Sequence, residues 1–221
     1  MSMFGALEVY YDDIPREGPM NMAVDEALLA AATLPILRFY RWQSPAVSFG
    51  YFGSYAEVAA QNSGREVVRR WTGGGIVPHG ADLTYSVIIP ANDPLFVRSS
   101  LEIYFILHEA IRKALNENGI AATLAPSPSP KLSEECFANA VKADVMSAGR
   151  KIAGAAHRRS RSGLLHQGSI QEGKLPERFG HDLAQAICDR FERQTLTPQL
   201  VDRARAIAQA KYGTTEWLMR R

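Results

Sequence analysis

Cysteine is nearly absent from this chain: two in 221 residues, Cys136 and Cys188. That is too few for a disulfide framework, and both are expected to be free thiols in a reducing, cytoplasmic setting. Long apolar runs are also missing. The longest, residues 83–90 and 28–34, fall far short of the roughly 20 residues a membrane-spanning helix needs. The N-terminus has no basic segment leading into an apolar one, so no secretory leader is expected. Charge of one sign is not in excess. The 25 basic and 23 acidic residues leave a net +2, with no global attraction to nucleic acid or membrane. The histidines at 79, 108, 157, 166 and 181 show no metal-ligand spacing with the cysteines, and no motif marks a serine nucleophile. The length fits a single unit over residues 1–221 with a full core.

What is present is concentrated in Arg69-Arg70-Trp71-Thr72-Gly73-Gly74-Gly75-Ile76-Val77-Pro78-His79. Three successive glycines remove every Cβ from a turn, so a ligand can lie against backbone N–H groups. Arg69 and Arg70 before it and His79 after it can each meet an anionic or polar group. The alternation Leu83, Tyr85, Val87, Ile89 then anchors the turn in a sheet. The segment is not a P-loop, because no Gly-Lys-Ser/Thr follows, and not a dinucleotide fingerprint, because a strand comes next. Composition alone would also allow a flexible loop.

The remaining pattern interleaves strands and helices irregularly. Strands are expected over 36–42, 46–50, 66–71 and 83–90, and around 144–147, 151–158 and 163–170. Helices are expected over 20–32, 55–61, 182–193 and 198–212, and over 99–118, where Ser99-x-x-Glu102 forms a capping box and Gly119 ends the run. The Ala-Pro-Ser-Pro-Ser-Pro stretch at 125–130 reads as an extended surface loop. The fold class that follows is α+β: a mixed, largely antiparallel sheet flanked by helices.

Three further sites carry chemistry. In Gly149-Arg150-Lys151-Ile152-Ala153-Gly154, Lys151 stands among small residues that would let a substrate pack on the strand and meet its ammonium; the plain alternative is a solvated lysine. Cys136, just beyond the proline loop, is open to activation by a nearby lysine, whereas Cys188 on an apolar helix stripe reads as an inert hydrophobe. His166, behind two leucines, is equally a satisfied core histidine. The run Arg158, Arg159, Arg161 is by default solvated, or attracts an acidic partner or a nucleotide phosphate.

Taken in order, Arg-Arg-x-x-Gly-Gly-Gly-x-Val-x-His, Gly-Arg-Lys-Ile-Ala-Gly-x-Ala and Leu-His-Gln-Gly-Ser resemble the lipoate–protein ligase and octanoyltransferase family. That family shares its catalytic fold with biotin–protein ligases. Asn21-Met22-Ala23-x-Asp25-Glu26, Arg38-Phe39-Tyr40-Arg41-Trp42 and Lys211-Tyr212-Gly213-x-x-Glu216-Trp217 extend the resemblance over nearly the whole chain.

The resemblance implies attachment of an octanoyl or lipoyl group to one lysine of a lipoyl-carrier domain of 2-oxoacid dehydrogenases or the glycine cleavage protein. By that match Arg70, Gly73, Gly74, Gly75, Ile76, Val77, Pro78 and His79 would line the nucleotide or acyl site, joined by Asp144, Gly154 and His166, with Lys151 at the activated carboxyl. A ligase would use ATP, Mg and free lipoate. A transferase would need no cofactor, taking octanoate from acyl carrier protein onto a cysteine activated by a lysine. Cys136-Phe137, fifteen residues before Lys151, resembles the Cys-Phe type of bacterial octanoyltransferase, as does Leu83-Thr84-Tyr85-Ser86. Gly75 is instead typical of ligases. Gly80 stands where an aspartate commonly follows the histidine, so any polar contact of that carboxylate is expected to be lost, and no accessory domain is expected. The resemblance thus favours acyl transfer with Cys136 as nucleophile. ATP-dependent ligation with Cys136 a bystander is the alternative, and a non-catalytic acyl- or carrier-binding protein is the third. No nucleic acid or membrane partner is expected.

Overall fold

The computed structural model describes residues 2–128, 136–173 and 175–220. Residues 129–135, which hold the end of the expected proline loop and Ser133-Glu134-Glu135, lie outside them. The first half comprises β1 (Leu7–Arg16), α1 (Gly18–Ala31), β2 (Ile36–Trp42), β3 (Ala46–Phe49), α2 (Tyr55–Gln61), β4 (Glu66–Arg69), β5 (Val77–His79) and β6 (Leu83–Pro90). Then follow α3 (Ser100–Glu117), β7 (Thr123–Leu124), β8 (Val145–Ser147), β9 (Arg150–Arg159), β10 (Gly163–Ile170) and α4 (Phe179–Ile187). The chain continues through β11 (Phe191–Gln194), α5 (Pro198–Ile207), a π-helical turn (Ala208–Tyr212) and α6 (Thr215–Met219). The expected α+β architecture is what the chain adopts.

Eight strands form one sheet in the order β11-β1-β2-β6-β10-β9-β8-β7, and three form a second in the order β4-β3-β5. β1 runs parallel to β2 and β11, while the pairs from β2 through β8 are antiparallel. Strand alternation sorts the core into two layers. Leu37 and Phe39 face α3 and α4 with Val87 and Ile89, whereas Ile36 and Tyr40 face α1 with Ile88 and Leu165. On α3 the inward stripe is Ile103, Leu107, Ile111 and Leu115, and both halves of the Ser99–Glu102 capping box are made.

Two sequence readings need correction. The helix expected over 182–193 ends at Ile187: Cys188 closes it with its N–H on the Ala184 carbonyl. Phe191–Gln194 then joins the sheet edge beside Leu7–Tyr10. Cys188 is therefore a buried C-cap rather than part of the stripe. β1 escaped the pattern because Asp12, Asp13 and Pro15 interrupt its alternation; edge pairing and a buried cation hold it instead.

That cation is Arg38, fully buried on β2. Its Nη1 donates to Asp25 Oδ1 at 2.8 Å and Nη2 to Asp12 Oδ2 at 2.8 Å and Asn21 Oδ1 at 2.9 Å. Burial alone would raise the Asp12 carboxyl, but the guanidiniums of Arg16 and Arg38 outweigh it and hold it below its ordinary value. Removing one partner of such a group strands a buried charge. Asp25→Ala is expected to lower stability by about 3–5 kcal/mol; a loss under about 1 kcal/mol in urea denaturation would remove Arg38 from its place as organiser of the fold.

Candidate active site

The glycine turn joins β4 to β5 and lies over Gly50. A Cβ on Gly50 would come within 2.1 Å of the Gly74 carbonyl oxygen, so only glycine allows this approach. Gly74 itself has φ +88°. The two arginines are committed to the protein. Arg69 donates to the carbonyls of Tyr51, Gly53, Leu218 and Arg220 and thereby ties down α6. Arg70 Nη2 holds the Gly73 and Gly75 carbonyls at 3.0 and 2.9 Å, and its Nη1 donates to Ser48 Oγ at 2.7 Å. None of the Gly73, Gly74 or Gly75 N–H groups donates a hydrogen bond among the described residues.

Behind Arg70 runs a relay that the sequence spacing concealed. Ser48 Oγ meets His79 Nε2 at 2.6 Å, and His79 Nδ1 meets Asp82 Oδ2 at 2.8 Å. The carboxylate assigns the proton to Nδ1, so Nε2 accepts from the serine hydroxyl. Burial drives the His79 pKa below its ordinary value, with Asp82 only partly opposing it, and the ring stays neutral. The ring also stacks on Trp42 with centroids 4.1 Å apart. Ser48 is 1% exposed on the central strand of the small sheet, with Arg70 and His79 both on its oxygen. The triad geometry thus serves to orient Arg70. It also corrects the expectation drawn from Gly80: Asp82, two residues later, puts a carboxylate on His79 and takes further hydrogen bonds from Thr84 and Ser169.

At the other end of the cleft stands Cys136, with the buried Lys151 ammonium beside it. Cys136 opens a short 3-10 turn (Cys136–Ala138) whose first N–H bonds the Ile76 carbonyl at 2.9 Å, which docks it beside the glycine turn. The Lys151 ammonium lies 3.4 Å from Cys136 Sγ, 2.9 Å from the Cys136 carbonyl and 2.8 Å from Asp144 Oδ2. Asp144 is fully buried, accepts from Val141 N–H at 2.6 Å, and takes the Tyr104 hydroxyl on its other oxygen. Two devices set Lys151 in place. Ala148 and Gly149 both have positive φ (47° and 75°), making the two-residue hairpin loop from β8 to β9. Ala143, at φ 71°, sits immediately before Asp144, and strain of this kind persists only where surrounding contacts over-determine it.

Between the two ends is a cleft lined by Tyr40, Trp42, Gly74, Val77, Ala155 and Gly168 among others, and also by Cys136, Arg70 and His79. Its mostly apolar walls with a few convergent polar groups are of the kind that line small-molecule sites. Of the residues singled out in the sequence, Arg70, Gly74, Val77, His79, Cys136 and Gly154 line it. Gly73 and Gly75 contribute carbonyls to Arg70, and Ile76 holds Cys136. Pro78 is exposed, its carbonyl taken by Gln171. Asp144 stands behind Lys151. His166 lies elsewhere: on the opposite face of β10 it bonds the Tyr85 hydroxyl at 3.1 Å and faces His157 and His108. Tyr104, Ser48 and Asp82 were missed in the sequence, since each is distant in the chain from what it holds.

Residues 17–185 match the family model of the lipoyl protein ligase A/B catalytic domain, and the chain belongs to that family. Among its relatives, it is 36% identical to octanoyltransferase LipM of Oceanobacillus iheyensis, over 73% of this chain and 62% of that protein. To octanoyltransferase LipM of Symbiobacterium thermophilum it is 33% identical, over 93% of this chain and 96% of that protein. The chain thus spans less than two thirds of the length of the first relative and nearly all of the second. A solved structure of a putative lipoate protein ligase from T. acidophilum shares the fold, with a TM-score of 0.78 at 24% identity over 96% of this chain and 98% of that one.

Two predictions follow from this geometry. A Cβ on Gly154 would sit 2.4 Å from Lys151 Cε and 2.7 Å from Nζ. Gly154→Ala is therefore expected to displace the ammonium and slow iodoacetamide labelling of Cys136 about tenfold at pH 7 while leaving cooperative unfolding intact; labelling at the wild-type rate would detach Lys151 from the thiol. The second concerns the histidines under the sheet. Burial lowers His108 to about 3 and His157 to about 4, and holds His166 well below its ordinary value. Below pH 6.5 the unfolded chain gains protons that the folded one refuses, so stability falls as pH drops from 6.5 toward 4, by up to about 1.4 kcal/mol per pH unit for each histidine. His108→Phe should flatten that slope, measured by thermal unfolding across the range; an unchanged slope would acquit the cluster.

Proposed function

We propose that this chain is an octanoyltransferase. It moves an octanoyl group from a carrier-bound thioester onto Cys136, and from Cys136 onto the target lysine of a lipoyl-carrier domain. The observation that carries the reading is the buried Lys151 ammonium 3.4 Å from Cys136 Sγ, pinned by Asp144. A fixed ammonium stabilises negative charge on the sulfur, the nucleophilic form of a thiol. The thiolate attacks the donor carbonyl, a C–S bond forms, and collapse of the tetrahedral intermediate breaks the donor C–S bond and expels the donor sulfur as a thiolate, which solvent protonates. In the second half the neutral amine of the carrier lysine attacks the new thioester, loses a proton, and releases Cys136 as thiolate. The N–H groups of the glycine turn, without a partner among the described residues, and the ammonium of Lys151 are suited to the oxyanion of both intermediates, and the cleft holds the acyl chain against Ala155, Gly168 and Tyr40.

The similarity to octanoyltransferases supports this reading over ligation. So does the use made of the cations. A ligase needs a nucleotide phosphate beside the acyl carboxyl, yet both Arg70 Nη atoms serve Gly73, Gly75 and Ser48, and Lys151 serves Asp144 and the Cys136 turn. The acyl donor under this proposal is acyl carrier protein, the reaction is cytoplasmic, and neither ATP nor a metal takes part. The triple glycine favours the ligase alternative, and the decisive experiment separates the two. Octanoyl–acyl carrier protein without ATP is expected to give a mass shift of one octanoyl group on Cys136, then an octanoylated lipoyl domain, with Cys136→Ser reducing the rate at least about 10³-fold. Full activity in Cys136→Ser together with strict dependence on ATP and free lipoate would refute the transferase.

A further inference from the structure

On the outer side of the glycine turn, three cations and three aromatic rings alternate in a closed circuit. Arg158 lies 5.0 Å from the Tyr51 ring centroid and 5.1 Å from that of Trp71. Lys211 lies 4.3 Å from Trp71 and 4.6 Å from Trp217. Arg220 completes the circuit at 5.1 Å from Trp217 and 4.5 Å from Tyr51. Each of these rings meets two of the cations, and Lys211 lies in addition 4.7 Å from the Tyr212 ring.

The aromatic faces hold the cations in place but do not neutralise them. Glu26 pairs with Lys211 at 2.5 Å, whereas among the described residues neither Arg158 nor Arg220 has a carboxylate within ion-pair distance. Burial lowers the Lys211 pKa, and Arg158 and Arg220 add to the effect against Glu26. Cations held close enough to repel one another, on rigid supports, form a site organised in advance for an anion. Two guanidiniums in it favour the planar, bidentate recognition of phosphate.

Its position selects the kind of phosphate. Tyr51 N–H bonds the Thr72 carbonyl at 2.9 Å, so the circuit abuts the turn that walls the cleft. On β9, Arg158 is two residues beyond Ala156, which lines the cleft, and four beyond Gly154, which the Lys151 ammonium overlies. At about 3.3 Å per strand residue that is about 13 Å from the thiol end. In an acyl-adenylate the phosphorus is joined to the acyl carbonyl through one oxygen and must lie beside that carbonyl, at the Lys151 end of the cleft. A phosphate bound at the circuit has to be joined to the acyl group by a long arm.

We propose that Arg158, Lys211 and Arg220 bind the phosphoryl group of the acyl donor, a thioester carried at the end of a long phosphate-bearing arm. This rests on the transferase reading above. The test compares 4′-phosphopantetheine, pantetheine and AMP by calorimetry on the full chain, and octanoyl-4′-phosphopantetheine with octanoyl-pantetheine as donors. Phosphopantetheine is expected to bind at least about tenfold more tightly than pantetheine, and the advantage to vanish in the double variant Arg158→Gln, Arg220→Gln. In that variant kcat/KM for the phosphorylated donor should fall at least about tenfold further than for the unphosphorylated one. Equal binding of phosphopantetheine and pantetheine, or equal losses with both donors, overturns the proposal. AMP binding that depends on Arg158 and displaces phosphopantetheine overturns it in favour of a nucleotide. If neither thioester acylates Cys136, the transferase reading fails, and the binding comparison still decides the anion site.

Discussion

A single guanidinium buried in the middle of the large sheet organises this protein. Arg38 has no access to water, so its charge must be met within the fold, and the three residues that meet it come from two elements: Asp12 of β1, Asn21 and Asp25 of α1. Asp25 does more than balance charge. Its Oδ1 also accepts from Ser86 of β6, and its Oδ2 from Gln167 of β10 at 2.8 Å, while Gln167 Oε1 takes the Thr72 hydroxyl at 2.9 Å. A continuous chain of charged and polar contacts therefore runs from the centre of the sheet to the residue that opens the glycine turn. Breaking it at any member leaves buried polar atoms unpaired, which is far more costly than the loss of one contact.

The turn receives a second support from Arg70, oriented through Ser48, His79 and Asp82. These two supports explain how three glycines, the most flexible sequence available, can form a fixed wall. Flexibility in the chain gives close approach to Gly50; rigidity comes from the carbonyls held by Arg70 and from the Thr72 hydroxyl. The opposite wall is built differently. There the hairpin at Ala148-Gly149 and the positive φ of Ala143 aim Lys151 and Asp144 at each other, and the Cys136 turn is drawn in by the Ile76 carbonyl. The cleft is the space between the glycine turn and an ammonium beside a thiol.

Much of this was legible in the chain. The alternation of Leu83–Pro90 and the capping box at Ser99–Glu102 placed β6 and α3, and the order Arg70, triple glycine, His79, Cys136-Phe137, Lys151 marked the cleft. The reading failed where a residue's role depends on a partner far away in sequence. Arg69 and Arg70 read as free cations because their acceptors are carbonyls, which carry no residue signature. Ser48 and Asp82 read as ordinary because their only mark is distance from His79 in space. β11 read as helix because Phe191 kept the spacing of the α4 stripe, whereas Cys188 closes that helix and the open edge of β1 takes up the strand.

Local pattern and residue chemistry by themselves determined most of the elements, the α+β class and the pairing of Cys136 with Lys151 as candidate reactive groups, because periodicity, capping and turn preference act over a few residues. Tertiary structure alone decided which groups face each other: Lys151 on Cys136 rather than in solvent, His166 beneath the sheet, Arg70 on the carbonyls of the glycine turn. Those outcomes turn on burial and on distances of a few ångströms, and only the packed chain sets either.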